Sequence, residues 1–447
     1  MNIQDKIFKA YDIRGIFPGE IDGRIAYSIG LGVANVLSAR TAVVGRDMRL
    51  SSDEIASGAI QGLRDGGVDV TDIGLISTDG LYFAVGKYEF ECGIMITASH
   101  NPPKYNGLKI CESKAIPFSG DGKLADVLRL IKDDKLVKAP NVGKLVKRNV
   151  MHDYVAHALG FIDIAKIKPF KIAVDAGNGM AGEVMPEVFK HLPCSLVPMY
   201  FELDGSFPNH PASPIEPENV ADLKRKIKEV GADLGAAFDG DADRVFLIDE
   251  KCQTLGGDMV TGLVAKALLK KNPGSTIIYN LICSKAVPEL VTKMGGKPVR
   301  TRVGHALIKP IMREENAIFG GEHSGHFYFR DNWFADSGLI ALLVCLELIS
   351  EANEPLSQQV ASFDHYVRSG EINSEVADIP GKLSELEDVF KNDKIDKLDG
   401  LTVDCGDWWF NVRPSNTEPL LRLNVEADDK MLLERMTSRV LGIIRSK

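Results

Sequence analysis

The chain has no hydrophobic run of membrane-spanning length. Its longest apolar stretch, Leu339 to Leu346, falls far short of the ~20 residues a spanning helix needs. The opening segment, MNIQDKIFKAYDIRG, lacks an apolar stretch of signal-peptide length. Cysteine pairing is missing too. Cys92, Cys111, Cys194, Cys252, Cys283, Cys345 and Cys405 are odd in number, scattered and never spaced C-x-x-C, which argues against a disulfide framework and a zinc site. Nor is there an excess of positive charge. With a net charge of −9 no overall basic field attracts nucleic acid, so any phosphate recognition must be local. These absences lead us to expect a soluble cytoplasmic protein without a membrane or nucleic-acid partner.

What is present is length and repetition. At about 100 to 200 residues per domain, 447 residues with 45% hydrophobic content make three or four domains. Three times a short β-type run leads through helical patterning to a second apolar run and then a polar loop. TAVVGRD leads to ECGIMITASHN, KIAVDAGNG to ADLGAAFDGDADR, and STIIYN to NAIFGGEHSGH. Such α/β units bind ligands beyond the carboxyl ends of their strands, where all three loops lie. Lys132 to Arg148 and Glu351 to Ser357 read as linkers or domain edges. From about Ala361 the pattern changes to alternating strands and a terminal amphipathic helix, an α+β unit. We therefore expect three related mixed α/β domains (1–148, 149–250 and 251–360) and a C-terminal α+β domain (361–447) around a central cleft.

Asp239, Asp241 and Asp243 in DGDADR alternate with small residues, so in an extended segment their carboxylates can converge on a hard cation; the alternative, a solvated acidic turn, leaves three close like charges with nothing positive between them. With Glu250 the spacing mimics an EF-hand loop, but Arg244 stands where that loop needs glycine and a strand-like VFLIDE follows. Gly177 to Gly182 satisfies G-x-G-x-x-G after a strand, with Glu202 and Asp204 placed for a ribose contact. Nothing else in the chain calls for a dinucleotide, and we read a tight strand-to-helix turn.

TASHNPPKYNG sets Ser99 just after a buried strand, beside His100 and before Pro102 and Pro103, with Lys109 ten residues on. So held, the hydroxyl is a candidate nucleophile, and an ordinary strand-end loop is an equal alternative. The G-x-S-x-G elbow of the hydrolases is absent. GGEHSGH offers Glu322 and Ser324 as acceptor and donor for vicinal sugar hydroxyls, a glycine-rich turn being the alternative. RPSNTEP gathers Arg413, Ser415, Asn416 and Thr417, with Arg422 in the next strand, as a candidate anion cradle, a surface turn with an incidental arginine being the alternative.

Together TASHNPPKYNGLK, DGDADR, GEHSGH and RPSNTEP, in that order in four successive domains, resemble the α-D-phosphohexomutase superfamily, specifically phosphomannomutase/phosphoglucomutase. The likeness spans nearly the whole chain. It implies a phosphohexomutase that interconverts hexose 1-phosphate and 6-phosphate through a phosphoserine and a 1,6-bisphosphate, the bisphosphate also serving as activator. By that resemblance Ser99 is the phosphoserine and joins Asp239, Asp241 and Asp243 in holding Mg²⁺. AYDIRG matches the family's opening motif and brings in Tyr11 and Arg14, with Arg14 facing the transferring phosphoryl group. Lys109 and Arg244 fall beside the phosphoserine together with His100. VGH makes His305 a substrate residue and His326 becomes a proton-transfer group. Arg413, Ser415, Asn416, Thr417 and Arg422 then bind the non-reacting phosphate.

SNTEP and FRDNWFADSG resemble the mannose/glucose branch, whereas phosphoglucosamine mutases usually carry glycine in place of Asn416 and glutamine in place of His323. In NLICSK the lysine or arginine of some relatives is Ile282. A phosphosugar substrate and a monomer or homodimer are expected. Phosphoglucosamine mutase, a phosphosugar-binding protein without catalysis, and a phosphatase acting through phospho-Ser99 are the rival readings.

Overall fold

The computed structural model describes residues 3–118, 122–415 and 420–446, without the side chains of His305 and Ala306. Its described strands form four sheets. In the first, Thr41–Arg46 lies between the parallel strands Cys92–Ile96 and Asp69–Leu75, and Cys92–Ile96 pairs antiparallel with Tyr105–Glu112, which pairs in turn with Ile13–Ile16. The second runs Val245–Asp249, Leu234–Phe238, Lys171–Asp175, Ser195–Met199. The third runs Lys297–Thr301, Thr276–Asn280, Phe319–Gly321, Phe327–Phe329, Ala335–Asp336. The fourth is antiparallel throughout, in the order Val367–Glu375, Leu420–Ala427, Trp408–Pro414, Leu401–Asp404, Lys394–Asp396.

The repeat has a structural meaning. In each of the first three units the chain turns back after a parallel strand and returns antiparallel beside it: Cys92–Ile96 to Tyr105–Glu112, Leu234–Phe238 to Val245–Asp249, Phe319–Gly321 to Phe327–Phe329. The polar motifs are the connections of these three hairpins. They lie at the carboxyl ends of parallel strands, where sheets of this kind bind ligands.

One continuous apolar cluster serves the first three units, from Val43 through Val174 to Val264. It includes the helix Gly338–Ala352, buried from Gly338 to Ser350. Each fully buried leucine or isoleucine there contributes about 1.5–3 kcal/mol. The buried charge on this helix, Glu347, is paired with Lys271 and accepts from the backbone N–H of Asp163 at 3.0 Å. The fourth unit has a core of its own, between its sheet and the helices Ile379–Val389 and Lys430–Ile444. Ion pairs dock it on the third unit. Arg368, held by Glu426 of its own sheet at 3.1 Å, reaches Asp258 at 3.4 Å, and Lys285 meets Asp404 at 2.7 Å.

The two segments read as linkers carry structure of their own. Leu145–Lys147 adds a parallel edge strand to the first sheet beside Asp69–Leu75. The stretch 351–357 is the end of one helix and, after Pro355, the start of another, Leu356–Ala361. The glycine motif is the tight turn expected. Gly177 is left-handed (φ 50°), and a side chain at Gly179 would meet the carbonyl of Gly240 at 2.6 Å. These glycines let the second unit's turn press against the aspartate loop rather than cradle a dinucleotide. Glu250 accepts from Ser357 Oγ at 2.5 Å, which leaves the EF-hand geometry without its twelfth ligand. Among the described residues no helix is long and apolar enough to cross a membrane.

Candidate active site

The connection 97–104 of the first unit carries Ser99 in the left-handed region (φ 50°), which a serine adopts only under constraint. The constraint is Arg49, a residue that sequence reading passed over. Its side chain is wholly buried. Nη2 donates to the carbonyls of Ser99 (2.8 Å) and Asn101 (2.6 Å), and Nη1 to those of Pro102 (3.0 Å) and Tyr105 (2.9 Å). Asp47, also fully buried, balances the guanidinium at 3.3 Å from Nε. Ser99 Oγ donates to Asp239 Oδ2 at 2.7 Å and lies 3.3 Å from His100 Nδ1 and 3.5 Å from Arg244 Nη2.

The second connection brings three buried aspartates together. One oxygen from each of Asp239, Asp241 and Asp243 lies within 4.8 Å of the others. Ala242, left-handed at φ 60°, bends the loop between the last two. Arg244 Nε donates to Asp239 Oδ2 at 2.8 Å, and Lys109 Nζ lies 2.7 Å from Asp241 Oδ2 and 2.6 Å from Asp243 Oδ2. Burial, opposed by Arg244 but reinforced by the neighbouring carboxylates, pushes Asp239 up to about 7. Burial acts on Asp241 in the same direction, yet the Lys109 ammonium and the hydroxyl of Thr78 hold it below the usual carboxylate range. Lys109 is raised well above its ordinary value, its two carboxylate partners outweighing burial.

This cluster fits a hard divalent cation. Asp241 Oδ1 and Asp243 Oδ1 are buried with no hydrogen-bond partner among the described residues, and carboxylate oxygens are the ligands that Mg²⁺ prefers. Thr78 stands behind them, a second residue missed in the sequence. Its Oγ1 donates to Asp241 Oδ2 at 2.5 Å from the first turn of the helix Thr78–Lys87.

The third connection meets the second through an antiparallel bridge between Arg244 and His326. His326 Nδ1 lies 2.8 Å from Asp336 Oδ2 and 3.9 Å from Asp243 Oδ1. Burial disfavours its charged form, but those two carboxylates outweigh it and raise the imidazole's pKa. His100 is shifted the other way, mainly by the Arg244 guanidinium and then by burial. Arg14 extends toward the same space, paired with Asp12 at 2.5 Å and bonded to Asn101 Oδ1.

Of the residues expected from the sequence, Tyr11, Arg14, Ser99, His100, Lys109, Asp243, Arg244 and His326 line one cavity, joined by Asp12, Tyr82 and Asp336, which were not expected. Glu322 is buried beside it rather than open to it. Its carboxylate accepts from Tyr328 Oη at 2.5 Å and from the backbone N–H of Gly304 at 3.2 Å. Ser324 is half-buried in the same loop. His305 begins the helix His305–Glu314, its side chain lying outside the description. Arg413, Ser415 and Arg422 are in the fourth unit, outside this cavity, while Asn416 and Thr417 lie outside the described residues.

Comparison with known proteins bears on the whole length. Residues 5–135, 152–256 and 256–366 match the models for phosphoglucomutase/phosphomannomutase α/β/α domains I, II and III, and residues 371–443 match the C-terminal domain. The chain is 41% identical over 448 residues to a phosphomannomutase of Escherichia coli strain K12, covering 98% of each. It is 38% identical over 442 residues to a phosphomannomutase of Methanocaldococcus jannaschii, covering 98% of this chain and 97% of that one. The crystal structure of a phosphoglucomutase/phosphomannomutase family protein from Burkholderia thailandensis superposes with a TM-score of 0.90 at 33% identity, covering 99% and 98% of the two chains. With its four domain types in order and hairpin loops converging on one serine and three aspartates, the chain belongs to the phosphoglucomutase/phosphomannomutase family.

Proposed function

We propose that this enzyme is a phosphohexomutase that converts the 1-phosphates of mannose or glucose to the 6-phosphates, with Ser99 as the phosphoryl carrier. The observation that carries the assignment is the approach of Ser99 Oγ to Asp239 Oδ2 at 2.7 Å, beside Arg244 and Lys109. A serine held against a metal-type aspartate cluster and two cations suits phosphoryl transfer, and a mere binding protein has no use for it. We place the domain limits of this reading near residues 148, 250 and 360.

Phospho-Ser99 donates to the free hydroxyl of the bound hexose phosphate. The P–O bond to Ser99 breaks as the bond to the sugar oxygen forms, giving a 1,6-bisphosphate that reorients and returns its other phosphate to Ser99. Arg14 and Arg244 spread the charge of the transferring group. Lys109, committed to Asp241 and Asp243, acts as a fixed ammonium, so proton exchange at the hydroxyl falls to His326, oriented by Asp336. Mg²⁺ held by Asp239, Asp241 and Asp243 would supply Lewis-acid stabilisation of the phosphoryl oxygens. Arg413, Ser415 and Arg422, with Asn416 and Thr417, bind the remote phosphate; Tyr11, His305, Glu322 and Ser324 serve the sugar. The reading carries with it a cytoplasmic monomer or homodimer, in keeping with seven free cysteines.

A coupled assay with Mg²⁺ and a trace of glucose 1,6-bisphosphate, offering mannose, glucose and glucosamine 1-phosphates in turn, tests this. Turnover of the first two and its loss in Ser99→Ala support the proposal. Turnover of glucosamine 1-phosphate alone moves the substrate, and release of free phosphate matching sugar turnover makes the protein a phosphatase.

A further inference from the structure

The phosphate cradle assigned to the fourth unit already contains an anion. Arg413 and Arg422 face each other directly across neighbouring antiparallel strands, so two like charges share one face of the sheet. Glu371 lies between them. Arg413 Nη2 donates to its Oε2 at 2.9 Å, and Arg422 Nη1 stands 3.3 Å from its Oε1. Backbone geometry places the carboxylate there. Residues 422, 424 and 426 point to one side of their strand by the two-residue repeat, and the register shift between Arg368 and Glu371 puts Glu371 opposite Asn424 on that side. Without the bulge Glu371 would face away.

The pairing is incomplete as salt bridges go. One carboxylate serves two guanidinium groups through one nitrogen each, and the Nε atoms of Arg413 and Arg422 are buried with no hydrogen-bond partner among the described residues. Arg422 Nη2 also donates to Ser415 Oγ at 3.3 Å. A phosphate dianion offers more acceptor oxygens and twice the charge, in a shape that guanidinium forks match.

We infer that Glu371 is an internal stand-in for the substrate's remote phosphate, holding Arg413 and Arg422 between rounds and yielding them when phosphate arrives. This rests on the assignment of Arg413 and Arg422 to that phosphate. The exchange has two consequences. The arginines stay aligned in the empty enzyme, and the bound phosphate is always in competition with a tethered carboxylate, which weakens its grip. A bisphosphate that must release one phosphate and present the other gains from such a weakened grip.

The test uses the full chain in the Ser99→Ala background, which keeps ligand from turning over, and calorimetric titration with glucose 1-phosphate. Glu371→Gln removes the charge and keeps the shape; its Kd should fall at least threefold, with Glu371→Ala moving the same way. Arg413→Met should raise Kd at least tenfold. In the Ser99 enzyme Glu371→Gln should lower KM and kcat together, since the phosphate is held longer. Unchanged or weaker binding in both Glu371 variants, with Arg413→Met still damaging, would reduce Glu371 to a structural partner and overturn the inference alone. Unchanged binding in Arg413→Met would instead overturn the cradle itself.

Discussion

Thr78 holds Asp241 at two points: its Oγ1 donates to Oδ2 at 2.5 Å, and its backbone N–H to the Asp241 carbonyl at 3.0 Å. The first unit thus fixes an aspartate of the second. Thr78→Val keeps the volume and loses the hydroxyl, leaving a buried carboxylate short of a donor at a cost of about 1–3 kcal/mol. Outer partners of metal ligands tune affinity by roughly 10–100-fold. We expect Mg²⁺ to stabilise the variant at concentrations about tenfold higher than in the parent, followed by thermal melts, and Thr78→Ser to restore parental behaviour. Equal titrations for all three would sever the link.

Arg49 governs the Ser99 loop through four carbonyls. Arg49→Met strips those donors and leaves Asp47 as an unpaired buried charge, about 3–5 kcal/mol of stability lost. Adding Asp47→Asn should regain much of the melting temperature but not the phosphorylation of Ser99, which mass spectrometry after incubation with glucose 1,6-bisphosphate reports. Recovery of both would make Arg49 a stability residue only.

The difference between what was legible and what was not lies in the kind of partner each residue has. Ser99 and the aspartates act through side chains in short hairpin connections, so strand patterning and local spacing displayed them, while His326 in the third connection came only with the family resemblance. Arg49 acts on carbonyl oxygens, which have no letter in the sequence, and Thr78 acts across 163 positions. Glu371 depends on a bulge that alternation alone does not show. The reading of 132–148 as linker missed Leu145–Lys147 because its leucine and valine are exposed on the sheet edge, so no buried alternation marks the strand.

Asp79 should make stability fall as pH rises. It is buried, and burial pushes its carboxyl to about 6 from 3.8, against the hydroxyls of Ser337 (2.6 Å) and Ser77 (2.5 Å) that favour its charge. The folded state therefore keeps the proton to higher pH than the unfolded chain does. The contribution is fully present below pH 3.8 and is lost as pH rises through about 6. Asp79→Asn should remove that slope and gain up to about 3 kcal/mol at pH 7. Urea unfolding at pH 4.5 and 7 measures it; parallel losses in variant and parent would assign the slope elsewhere.

The Lys109 ammonium sits against the aspartates that the proposed mechanism gives to the metal, so lysine and metal compete for the same carboxylates. In Lys109→Met the three buried carboxylates keep Arg244 as their neighbouring cation, and their repulsion rises. Chelator-treated variant should therefore melt well below chelator-treated parent, in line with the about 3–5 kcal/mol that breaking a buried pair costs. Mg²⁺ then has more to offset, and without the lysine only Arg244, on Asp239, competes with it. The rise in melting temperature on adding Mg²⁺ should be larger in Lys109→Met than in the parent, even though turnover falls. Equal rises would show that Lys109 and the metal do not share these oxygens, and that the lysine acts on the phosphoryl group alone.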